Sequence, residues 1–317
     1  MMEPVKINGI RLNKNYIQVI QKDIDMLDQS SMSLYQIMES NRINMVFMTL
    51  NTMGSKSFVS GTIGLKNFGQ TIHRNESWEY DRRVCTLSIF PHHHSLQLLG
   101  FLLLHLGGLR LSFRHMVSSN AMLTFVVDQE NCDAFTDMFS ANFDLPQSHF
   151  PFEQKENDEL TQFLKKKYPE TRASYVEKKI KTYGITLVPD LNLGSYRFSF
   201  DHLSLFGQKI GYMEDKKIRF YHISMHMASP EQISVYLLTQ KSLSVAACNN
   251  CSADLLHFHG PHFGDRHSIV SRALSCLAKE SIRVLLADCT GASISIVLPQ
   301  GKGKAAKLSL IDVFDSP

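Results

Sequence analysis

The sequence predicts an α+β fold of tandem strand–helix–strand–strand units, four of them in two paired modules. Three observations carry that prediction: four segments repeat one order of elements, the repeats recur at a fixed interval, and short units alternate with long ones. The 317 residues are 44% hydrophobic and 20% charged, which excludes a disordered, collagen-like or disulfide-dense chain and leaves ample apolar surface for a core.

The units span residues 30–63, 94–128, 201–239 and 265–299. Each opens on a stretch with apolar residues at three- and four-residue steps; in the fourth, Ile269, Ala273, Leu274, Leu277 and Ala278 fall on one stripe of a helix. Two strands follow around a short polar turn, such as Thr290, Gly291 and Ala292, the pattern of a hairpin with one covered face. A first strand precedes units two, three and four at 84–90, 196–200 and 255–258. Units two and four run on into a further helix, at 130–143 and 301–314. Ser31 to Ser95 and Ser204 to Ser268 are both 64 residues apart, so a two-unit module is duplicated. The boundaries that follow are 1–150 for the first module, 151–175 for a connector and 176–317 for the second. Open sheets have edges that must be covered, which predicts a homodimer built through a sheet edge or the helical faces.

A net charge of +3 from 33 basic and 30 acidic residues gives no reason to expect a nucleic acid or a membrane as partner. Lys165, Lys166, Lys167, Arg172, Lys178, Lys179 and Lys181 concentrate positive charge, but Glu170 and Glu177 interrupt the run, as in a solvated connector. The longest apolar stretch, 96–109, holds Gln97 and His105 and falls short of the about 20 residues of a spanning helix. No basic n-region followed by an apolar stretch opens the chain, and six cysteines read as buried hydrophobes in a reducing compartment, so a cytoplasmic location is expected.

Three features invite a chemical reading. His92, His93 and His94 could offer imidazoles to a metal, but adjacent residues cannot all face one ion, and a solvated loop entering a helix is the plainer expectation. Cys248 and Cys251, with His257, His259 and His262 downstream, supply half of a zinc site without the spacing of the second half; a redox pair would lack a helix directly after it, and two loop cysteines without a role are the plainer expectation. Gly301, Lys302, Gly303 and Lys304 could hold a phosphate at a helix start, or form a solvated helix end. No Gly-x-Ser-x-Gly turn occurs. No catalytic residue, metal or cofactor is therefore assigned.

Strand–helix–strand–strand–helix units are the ferredoxin-like plan. The fourth unit, GPHFGDRHSIVSRALSCLAKESIRVLLADCTGASISIVLP, resembles the ACT domain and, within that superfamily, the regulatory region of aspartokinases. The residues that carry the resemblance are Gly260 and Gly264 in the loop, Leu277 and Ala278 at the helix end, Ile282 opening a strand, and Ser293 to Val297 in the S-I-S-hydrophobic strand. The first unit repeats the pattern in Ile43, Asn44 and Met45 and in Ser57 to Ser60. No nucleotide-binding segment of an aspartokinase catalytic domain is found in the chain, and the second-unit loop, FPHHHS, lacks the glycine.

The resemblance implies an effector site for an amino acid. His262, Phe263, Gly264, Asp265, Arg266, His267, Ser268 and Ile269 would form it, the free amides of the helix start taking the α-carboxylate. Asp265 or Asp288 would pair with the ammonium. Alternatively Asp265 is simply an N-cap, with Pro261 and Gly264 shaping the turn. The functional expectation is a non-catalytic, amino-acid-binding allosteric regulator, acting alone or beside a biosynthetic enzyme. An enzyme of unrecognised activity, an aspartokinase-related chain without its catalytic half, and a partner-binding module with empty pockets remain as alternatives.

Overall fold

Alternation in the strands and three- to four-residue spacing in the helices build one arrangement four times over. The fold comes from a computed structural model, which describes residues 5–24, 32–53, 57–65, 67–68, 78–145, 179–213, 218–229, 231–243, 245–260, 263, 267–291 and 293–315. The expected connector, 151–175, and most of its cations lie outside the described residues.

The first module comprises β1 (Val5–Lys6), β2 (Gly9–Lys22), α1 (Leu34–Ser40), β3 (Met45–Asn51), β4 (Phe58–Gly64), β5 (Trp78–Phe90), α2 (Leu96–Gly108), β6 (His115–Ser118), β7 (Leu123–Asp128), α3 (Cys132–Asn142) and β8 (Phe143–Asp144). The second comprises β9 (Ile180–Lys181), β10 (Ile185–Ser199), α4 (Leu203–Tyr212), β11 (Phe220–Ser229), β12 (Gln232–Thr239), β13 (Asn249–His259), α5 (Ile269–Lys279), β14 (Leu286–Thr290), β15 (Ser293–Pro299), α6 (Gly303–Leu310) and β16 (Phe314–Asp315).

Each unit contributes three antiparallel strands in the spatial order second, third, first, and the units join into one closed ring, β10-β12-β11-β6-β7-β5-β2-β4-β3-β14-β15-β13. Within a module, first strands meet: β2 pairs with β5, and β10 with β13. Between modules, second strands meet: β6 pairs with β11, and β3 with β14. The long units do not add a fourth strand to their sheets. Their short last strands instead pair in parallel with the start of their own module, β8 with β1 and β16 with β9. Because the described ring strands pair all the way round, association through a ring edge is corrected: among the described residues no unpaired ring edge is left to cover. Helical faces remain, with Leu104, Leu205 and Tyr212 exposed on α2 and α4.

Two apolar clusters lie between strands and helices. One joins units two and three, with Leu99, Leu103 and Leu106 of α2 against Leu203 and Ile210 of α4. The other joins units one and four, with Leu34 and Met38 of α1 and Ala273, Leu274 and Leu277 of α5 over Met48, Leu50 and Ile296. Where α2 crosses α4 the backbones touch: a Cβ on Gly100 would lie 2.5 Å from the Gly207 carbonyl oxygen, and one on Gly207 would lie 2.7 Å from that of Gly100. The opposite face of the strands is unusually polar for a buried surface. Gln18, Thr49, Ser60, His115, His222, Ser234, Asp288 and Ser295 are all buried there.

Two elements differ from expectation. β2 has no counterpart in the sequence reading. β6 begins at His115, not near 109, because α2 ends in a C-terminal turn: Arg110 takes φ 53°, and the Leu111 N–H bonds the Leu106 carbonyl at 2.9 Å.

Candidate functional site

The start of α5 faces unit one. Ser268, at φ 74°, is the N-cap residue and makes no side-chain cap bond, so the helix begins three residues later than a cap at Asp265 requires. Phe263 is buried and packs edge-on against Phe258, anchoring the loop to the core. Phe263, His267, Ser268 and Ile269 form one wall of a cavity of about 20 Å³. Tyr35 and Met38 of α1, with Asn44 and Met45 of unit one, form the other. Cys289 closes the sheet side, its thiol pushed up to about 12 by burial and thus uncharged. His262, Gly264, Asp265 and Arg266 lie outside the described residues.

Asp288 does not join this group, and its assignment to a ligand ammonium there is corrected. Successive side chains of a strand point to opposite faces, so Cys289 meets the α5 cavity while Asp288 points into the ring. There its Oδ2 is 2.7 Å from His222 Nε2 and its Oδ1 accepts from Ser224 Oγ at 3.4 Å. Both side chains of the His222–Asp288 pair are 1% exposed. Ser118 Oγ lies 3.2 Å from His222 Nδ1, which completes a serine–histidine–aspartate chain. The serine is buried, and its oxygen accepts the Ile223 N–H at 2.9 Å, so the chain ties units two, three and four together across the ring.

The histidine tract is also corrected: it is not a solvated loop. His92 is fully buried, with Nε2 2.7 Å from the Ser119 carbonyl oxygen and Nδ1 accepting the His94 N–H at 2.9 Å. Nε2 therefore carries the proton, and burial pushes the ring down to about 4. His94 Nδ1 bonds the Phe220 carbonyl at 3.0 Å, which fastens the loop to unit three; only His93 is exposed. Among the described residues no three histidine, cysteine or acidic side chains gather as metal ligands, and Cys248 is an exposed thiol. At α6, the Gly303 N–H donates to Asp254 Oδ2 at 2.8 Å. A buried carboxylate thus takes the place a phosphate would occupy.

Sequence reasoning named the α5 loop without naming α1 as the helix it faces, and it missed the interior polar groups. Their partners are far apart in the chain; His222 and Asp288, for example, are 66 residues apart. Alternation alone could have flagged them, as a polar residue on the face of a strand with no helix beside it.

No protein-family profile matches the chain, and no curated protein matches it. Among solved structures it is similar to an aspartate kinase from Synechocystis, with a TM-score of 0.70 and 10% identity, over 98% of this chain and 56% of that one. The chain thus spans little more than half the length of that kinase. The regulatory subunit of aspartate kinase from Thermus thermophilus in its ligand-free form matches at a TM-score of 0.36 and 11% identity, over 42% of this chain and 99% of that one. Aspartokinase III from E. coli, in complex with lysine and aspartate, matches at 0.32 and 15%, over 45% and 35%. Across nearly its whole length, the chain has the fold of part of an aspartate kinase: an aspartokinase-like fold.

Proposed function

We propose that the chain is a regulatory protein of the ACT type that binds a free amino acid between units one and four and carries no catalysis of its own. The observation that supports this reading is the two-sided cavity at α5, in which Phe263, His267, Ser268 and Ile269 face α1 and the start of β3. The first amides of α5 and its positive end suit an α-carboxylate. With Asp288 turned into the ring, Asp265 is the acidic residue left for the ammonium.

A space of about 20 Å³ holds roughly one water, so an amino acid enters only by displacing wall residues. Displacement there bears on the contact between α1 and α5, where Arg272 Nε lies 3.5 Å from Glu39 Oε1. Occupancy would thereby change how units one and four sit together, which is what a regulator of a partner enzyme requires. A homodimer through the helical faces fits the same reading.

The test is a thermal-shift screen of the intact chain against the twenty amino acids, followed by calorimetry. A ligand at about a hundred times its Kd adds roughly 2.7 kcal/mol of stability. Asp265→Asn should weaken binding while near-normal stability is kept, whereas unchanged affinity removes Asp265 from the site. If none of the twenty raises the melting temperature, the amino-acid reading is abandoned.

A further inference from the structure

A row of polar side chains crosses the inner face of the ring. Arg197 of β10, Ser234 of β12, His226 of β11 and His115 of β6 are consecutive Cα partners on four neighbouring strands. Gln18 reaches them from β2, with Nε2 2.7 Å from His115 Nε2 and 2.8 Å from Ser60 Oγ. These residues line a cavity of about 410 Å³, within the range of small-molecule sites.

The cavity walls contain unmet hydrogen-bonding capacity. Gln18 Oε1, His115 Nδ1 and Ser234 Oγ are buried without a partner, on residues 1%, 5% and 2% exposed. The nitrogen–nitrogen contact requires one donor: if the Gln18 amide donates, His115 Nε2 accepts and the proton sits on Nδ1, facing no acceptor. Turning the amide over reverses the roles and again leaves one atom of each residue unpaired. Buried polar atoms without partners are uncommon in folded proteins and mark a missing partner.

The charge around the cavity has one sign. No carboxylate lines it among the described residues. Lys22 is held by Glu79, and Arg114 Nε by Asp128 at 2.8 Å, whereas Arg197 is exposed at the rim. Burial and then Arg197 push His226 down to about 4, so its ring is neutral near pH 7. That ring stacks on Tyr236 at 6.0 Å and 12°, which offers a flat ring face, and Phe58 meets it edge-on at 4.8 Å, which adds a second aromatic wall.

We propose that this cavity binds a small organic anion, a single carboxylate on a flat unsaturated body. Arg197 meets the carboxylate, the Phe58–His226–Tyr236 wall packs the body, and Gln18, His115 and Ser234 bond its polar edge. One guanidinium fork matches one carboxylate. The site lies inside the ring, away from the α5 cavity, and stands whether or not that cavity binds an amino acid.

The experiment is titration calorimetry of the full chain with benzoate, 4-hydroxybenzoate and indole-3-acetate, each beside its neutral amide. At least one acid should bind saturably at one site, and about tenfold or more tighter than its amide. Arg197→Gln should weaken it by a similar factor, and Ala228→Trp, which plugs the exposed rim, should abolish it. Both positions are exposed, so melting curves should confirm intact folds, and Asp265→Ala should leave this binding unchanged. The proposal is overturned if no acid binds by about 10 mM, which would leave waters as the occupants. It is equally overturned if amides bind as well as acids, or if binding survives both rim variants.

Discussion

Gly100→Ala sets two known effects against each other. Alanine in a helix interior is worth about 1 kcal/mol over glycine, so helix propensity alone predicts a more stable protein. The crossing of α2 and α4 predicts the reverse. The new methyl would sit 2.5 Å from the Gly207 carbonyl oxygen and 2.6 Å from the Gly211 nitrogen and Cα. All three are backbone atoms, so no side chain can rotate away; the helices must separate by roughly 1 Å to restore van der Waals distances, loosening the cluster around Leu103, Leu203 and Ile210. Overpacking of this kind costs about 1–3 kcal/mol, and a rigid backbone obstacle puts it at the upper end. After the propensity gain is subtracted, a net loss of about 1–2 kcal/mol remains. Gly211→Ala is the control, since its nearest neighbour, the Gly100 Cα, would be at 3.6 Å, an ordinary contact. That variant should be neutral or gain up to about 1 kcal/mol. Urea unfolding followed by far-ultraviolet circular dichroism reads both. A Gly100→Ala protein as stable as the parent, or a Gly211→Ala protein equally weakened, would refute the close crossing.

Acid should destabilise the protein through His92. The folded ring titrates near 4 against an ordinary 6.5, so the unfolded chain binds the extra proton between those values and stability falls as pH drops through that window. At about 1.4 kcal/mol per pH unit the loss from this residue is on the order of 3 kcal/mol by pH 4, and His92→Gln should flatten the slope measured by urea unfolding at pH 7, 5.5 and 4.5. An identical slope in both proteins would remove His92 as the cause. Asp288→Ala strands His222 Nε2 and Ser224 Oγ in the ring and should cost about 2–4 kcal/mol in the same assay, while any amino-acid affinity at α5 stays unchanged. Loss of that affinity without loss of stability would put Asp288 back in the ligand site.

The order of elements was legible because it is local. The turn and strand 293–299 in the fourth unit, the helix stripe from Ile269 to Leu277, and the alternation of short and long units all follow from neighbouring residues. β2 was missed because Asn13, Lys14 and Asn15 interrupt its alternation; in the structure Asn15 takes φ 71° and the pairing with β5 slips between Asn13 and Tyr16. The closure of the ring was illegible because nothing in one strand names its distant neighbour. The same holds for the inner face: Gln18, His115 and Ser234 read singly as ordinary strand residues, and only the ring brings them to one cavity. For the α5 loop, the glycine and helix-start signals pointed to residues 262–269, of which Phe263, His267, Ser268 and Ile269 line the cavity, but the helix starts at Ser268 and one residue of register decided that Cys289, not Asp288, faces it.

The seam between β3 and β14 also bears on how the chain reaches this state on the ribosome. Thr52 and Val284, which bond across it at 2.7 Å, are 232 residues apart. At about 5–20 residues per second of synthesis, the outer edge of β3 waits on the order of 10–50 s for its partner, and the edge of β6 waits for β11 over a shorter interval. During that time the nascent first module carries two open strand edges that the finished ring conceals. A holding chaperone, or slow emergence of the second module, would act on those edges before the ring closes.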